Sequence, residues 1–64
     1  MIRKGNIVEI LPEHRDPGDE QYTWVALGDQ EKGRIDVSPV DHPMAIKPVY
    51  TLQVEWVRVI GSLP

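Results

Sequence analysis

Apolar and polar residues alternate along most of this chain with the period of two that half-buried strands require. "NIVEIL" predicts a strand over residues 6–11. Val8 and Ile10 share one face and Ile7 and Leu11 the other, so both faces of that strand are expected to be partly covered. "YTWVALG" predicts a second strand, with Tyr22, Trp24 and Ala26 on one side and Thr23, Val25 and Leu27 on the other. "RIDVSP" alternates most cleanly, Arg34, Asp36 and Ser38 against Ile35 and Val37. The polar "DQEK", flanked by Gly28 and Gly33, joins these two strands into a hairpin.

"MAIKPVY" reads as a short strand limited by Pro48. "YTLQVEW" alternates again, Tyr50, Leu52, Val54 and Trp56 against Thr51, Gln53 and Glu55. The pattern then slips, because Trp56 and Val57 are consecutive and Val59 continues the second phase. A one-residue slip exchanges the faces, so a bulge or a single 3₁₀ turn is expected near Trp56. "GSLP", residues 61–64, reads as a flexible tail.

The connections are polar and rich in turn residues. "PEHRDPGDEQ" holds Pro12, Pro17 and Gly18, and its "DPGD" favours a type II turn in a long loop. "VDHP" is a further turn. Short strands without a repeat leave sheet edges to be hidden, which a small closed or nearly closed barrel does. The expected fold is all-β, a five-stranded barrel forming one domain over residues 1–64.

Composition sharpens this picture. Val and Ile outnumber Leu, Phe is absent and there are six prolines, all unfavourable to helix. A 64-residue chain buries only about 60% of its unfolded surface, so the core is thin and self-association is a natural supplement. With no cysteine there is neither a disulfide nor a thiolate metal site. That fits a cytoplasmic location, as does the lack of a signal peptide or membrane span in "MIRKGNIVEI". The net charge of −3 counts against nucleic acid as the main partner.

Two segments carry a family likeness. "KGNIVEI" resembles the first strand of many small prokaryotic Src-homology-3-like barrels. "VEWVRVI" is similar to the closing turn and strand of Src-homology-3 domains, and the acidic loop before "YTW" sits where those domains carry theirs. This likeness implies the barrel fold. The family's opening aromatic motif is missing, and Trp24 stands alone where eukaryotic members carry paired tryptophans. "AIKPVYTLQVEWVRVI" is also similar in rhythm to the C-terminal end of the plasmid-borne type II dihydrofolate reductases, which are small tetrameric barrels. Their pore-lining Gln-Ile-Tyr is replaced by Ala45-Ile46-Lys47, so no catalytic residue is carried over.

Candidate chemistry concentrates in "EHRDPGDEQYTW". Its "HRD" matches the start of a kinase catalytic loop, but Gln21 stands where that loop needs Asn and the chain cannot hold a nucleotide lobe. Glu13, His14, Asp16, Asp19 and Glu20 offer oxygen and nitrogen ligands without the order of an EF-hand loop, so a solvated loop is expected and no metal. Ser38 and Ser62 lack a histidine at a motif spacing, so no nucleophile, catalytic residue or cofactor is expected. The basic residues Arg3, Lys4, Lys32, Arg34, Lys47 and Arg58 would serve a nucleic acid only if they converged.

What remains is aromatic. Tyr22 and Trp24, beside Asp16, Asp19 and Glu20 and together with Trp56, form the expected binding surface. They serve as an exposed platform if they face outward and as core bulk if they do not. The expected function is a non-catalytic module acting through contacts with a protein or peptide. The alternatives are a nucleic-acid-binding barrel and a small oligomeric enzyme with its pocket on a symmetry axis.

Overall fold

The computed structural model describes residues 1–16, 22–40 and 48–63. Five antiparallel strands form one sheet: β1 (Asn6–Ile10), β2 (Trp24–Ala26), β3 (Arg34–Pro39), β4 (Tyr50–Gln53) and β5 (Val57–Ser62). Their order is β4-β3-β2-β1-β5, so β4 and β5 are its two edges. The sheet is not closed by a ladder between them. Two single bonds extend the existing pairings by a residue: Leu11 N–H to the Trp56 carbonyl at 2.7 Å beyond β1–β5, and Val54 N–H to the Gly33 carbonyl at 2.9 Å beyond β3–β4.

The alternation in the sequence becomes the core. Val8 and Ile10 of β1, Trp24 and Ala26 of β2, Ile35 and Val37 of β3, and Val57 of β5 are buried together with Ile2. Leu52, Val54 and Trp56 pack against them and stay half-exposed. Ile2 is held from outside any strand. Its N–H donates to Gln30 Oε1 at 2.7 Å and its carbonyl accepts Gln30 N–H at 2.9 Å. The N-terminal residues thereby cover one end of the core.

The phase slip after "YTLQVEW" is a 3₁₀ turn over Val54–Trp56, immediately before β5. It lets Val57 re-enter the core after the half-buried Trp56. A second 3₁₀ turn, Pro12–His14, follows β1 and has Pro12 at its start, where a missing N–H costs nothing. The β2–β3 hairpin closes on Lys32 (φ 52°) and Gly33 (φ 75°), with Glu31 and Arg34 exchanging both backbone bonds. Two successive positive φ angles define a type I′ turn, whose twist matches its strands.

Several expectations are corrected. β2 begins at Trp24, not Tyr22. Ser38 is buried, not outward-facing, and its hydroxyl donates to the Pro48 carbonyl at 2.9 Å. Pro48 and Val49 lie outside any strand and Tyr50 opens β4, while residues 44–47 of the expected "MAIKPVY" strand lie outside the described residues. The turn expected at "DPGD" also falls outside them. Gly61 and Ser62, expected in a tail, belong to β5 and pair with Ile7 and Asn6. Leu63 N–H reaches the Gly5 carbonyl at 2.8 Å. Glycine and serine carry a weak strand signal, and the pairing comes from β1. The jump from Val8↔Val59 to Ile7↔Gly61 leaves Ile60 as a bulge.

Lys32 occupies a left-handed position that costs a residue with a β-carbon roughly 1–2 kcal/mol. Lys32→Asn should therefore raise unfolding stability by about 0.5–1 kcal/mol in urea titration, since Asn-Gly is the favoured pair for this turn. Ile35→Ala empties a fully buried position and should cost roughly 2–5 kcal/mol. In so small a domain that loss abolishes the cooperative transition, as circular dichroism against temperature would report.

Candidate functional site

A groove of about 340 Å³ opens between the segment after β1 and the β4 edge. That volume lies at the lower end of the range for ligand clefts. Ile10, His14 and Asp16 form one wall, Tyr50, Leu52 and Trp56 the other, and Trp24 contributes to the lining from the core. Each wall follows from local structure. The 3₁₀ turn at Pro12–His14 lifts His14 out of the strand direction. Tyr50 and Leu52 alternate on one face of β4, and the second 3₁₀ turn carries Trp56 onto the same side.

The aromatic groups form two linked sets. The His14 imidazole stacks on the Trp56 indole, with centroids 5.4 Å apart and planes inclined by 26°. In the second set the Tyr50 ring meets Trp24 edge-on at 5.4 Å, and Tyr22 lies 6.0 Å from Trp24 on a tilted plane. Of the two readings of Tyr22 and Trp24, exposed platform or core bulk, Trp24 follows the second. Trp24 is only 7% exposed, whereas Tyr22 is 44% exposed. A core without Phe needs the indole as bulk. Trp24 Nε1 is buried without a hydrogen-bond partner, a cost of order 1–3 kcal/mol set against the apolar area the ring buries.

Of the expected site residues, Asp16, Trp24 and Trp56 converge on the groove, and Tyr22 touches it only through Trp24. Asp19 and Glu20 lie outside the described residues. His14, Ile10, Tyr50 and Leu52 complete the groove. The sequence offers His14 as part of "HRD" and as a metal ligand, not as an aromatic partner. The "YTLQVEW" alternation placed Tyr50 and Leu52 on one face with Trp56 and gave no sign that this face opens to solvent. Among the described residues no group of three His, Cys, Asp or Glu is arranged to hold a metal.

Charge is distributed unevenly around the groove. Among the described residues its lining contains one carboxylate, Asp16, and no lysine or arginine. The guanidiniums of Arg15 and Arg58 are engaged elsewhere. Arg15 donates through Nε to the Ile10 carbonyl at 2.6 Å and pairs with Glu9 Oε2 at 3.6 Å. Arg58 donates to Glu9 Oε1 from the neighbouring strand. Among the described residues the basic side chains therefore form no face on the groove. No described helix is long and apolar enough to cross a membrane. Comparison with protein-family models, with curated proteins and with solved structures returned no match.

Trp24 and Trp56 should respond differently to truncation. Trp24→Ala is expected to cost about 3–5 kcal/mol and unfold the domain. Trp56→Ala, at a half-exposed position, should leave the folded spectrum intact. Near-ultraviolet circular dichroism and thermal melts of the two variants check this; a folded Trp24→Ala protein would contradict the core role.

Proposed function

We propose that this protein is a small non-catalytic binding module whose aromatic groove takes a segment of a partner protein, carried on a sheet rolled as a Src-homology-3-like barrel. The groove itself carries the reading. Indole, phenol and imidazole groups stand around one cleft with a single carboxylate, and such amphipathic surfaces dominate binding energy where proteins meet.

The barrel assignment draws support from three features taken together. The strand order is β4-β3-β2-β1-β5, the connection between β1 and β2 is the long acidic one, and a 3₁₀ turn precedes the last strand. The last two are also among the features on which the sequence likeness rests. The nucleic-acid alternative has less behind it, because base-stacking grooves need cations along them and this lining has none among the described residues.

Selection of a display library of short random linear peptides against the folded protein tests the function. Enrichment of peptides is expected, with binding that falls roughly thirtyfold or more in Trp56→Ala, the loss typical of an interface hot spot of about 2 kcal/mol. Absence of enrichment, or equal binding to Trp56→Ala, would remove the groove as the binding surface.

A further inference from the structure

Resting on that reading of the groove, we infer that the occupant is an extended, positively charged protein segment, and that it binds by adding a strand to the outer edge of β4. The backbone bonds on β3 identify which groups of β4 are free. Arg34 exchanges its bonds with Glu31, and the Asp36 carbonyl accepts Leu27 N–H at 2.9 Å. Both residues thus turn their backbone groups away from β4.

Their partners across the β3–β4 pairing are Gln53 and Thr51. In an antiparallel ladder such pairs point their own amides outward. The Thr51 N–H and carbonyl and the Gln53 N–H therefore face out from the sheet, with no partner among the described residues. Exposed edges are normally defended by charge, proline or a bulge. β5 has its bulge at Ile60. β4, Tyr-Thr-Leu-Gln in unbroken register with β3, has none of these.

This undefended edge runs beside the groove. Tyr50 and Leu52, the residues between the outward-facing amides, supply side chains to the groove wall. A strand laid along β4 would satisfy the three backbone groups and drop alternate side chains between β4 and His14, which is the pattern of β-strand addition. Charge selects its chemistry. Among the described residues the groove lining offers Asp16 and aromatic faces with no cation, on a chain whose net charge is −3. A lysine or arginine side chain on the incoming strand meets attraction from both the rings and the acid.

Gln53→Pro separates this binding mode from the groove reading. Gln53 already has φ −74° and ψ 136°, close to the φ of about −65° that proline imposes. Its N–H holds no bond to the described residues, so the variant should fold with its melting temperature held or raised. The probes are the peptides enriched from the random library. Strand addition is expected to make Gln53→Pro lose about tenfold or more in affinity, the weight of a buried hydrogen bond. It should also slow hydrogen exchange at the Thr51 amide in the wild-type complex and enrich peptides in lysine or arginine.

Full binding to Gln53→Pro alongside loss in Trp56→Ala would overturn strand addition and leave the groove reading standing. Loss in neither variant would end both. An edge already protected in peptide-free protein that sediments as a dimer would assign β4 to a second copy of this chain and also overturn the inference.

Discussion

Burial of the Trp24 indole is the constraint on which the rest of this domain depends. The chain has no Phe and no Cys, so one large ring must fill a core otherwise built from aliphatic residues and alanine. Its position on β2, beside β1 and β3, ties the central strands to a common centre. An indole is too large for the thin core of a chain this short to hide on every side. Tyr22 and Tyr50 bracket it and stay nearly half exposed. The groove is therefore a consequence of the core: its lining includes the ring that holds the sheet together.

The two sheet edges are managed differently, and the difference matters for binding. β5 is long, and its bulge at Ile60 breaks its regular ladder with β1. β4 is short and regular and ends in a 3₁₀ turn that carries Trp56 over the opening. Leu11 and Trp56 share a backbone bond, and His14 stacks on Trp56, so the segment after β1 is fastened at one end of the groove. A fastened wall opposite an uncapped strand edge is a preorganised arrangement, in which little ordering must accompany binding.

Glu9 organises the charges around this arrangement. Its carboxylate receives both Arg15 and Arg58. Exposed ion pairs of this kind add little to stability. Their larger effect is positional, because they hold two cations at Glu9, which alternates with the groove-lining Ile10 along β1. A net charge of −3 states nothing about such a distribution, since it arises from which side of β1 each residue faces.

Local pattern alone determined the strand content, the β2–β3 hairpin and the need for a 3₁₀ turn or bulge before the last strand. Each depends on a period of two or on turn chemistry within a few residues, as in the consecutive Trp56 and Val57. Tertiary structure decided what depends on partners distant in sequence. Gly61 and Ser62 became strand because β1 pairs with them, and Ser38 was buried because the Pro48 carbonyl lies within reach of its hydroxyl. Trp24 and Trp56 look alike in an alternating pattern. Their separation into core and groove wall was set by where β2 lies in the sheet order and by the twist of the 3₁₀ turn, and no periodicity along the chain encodes either.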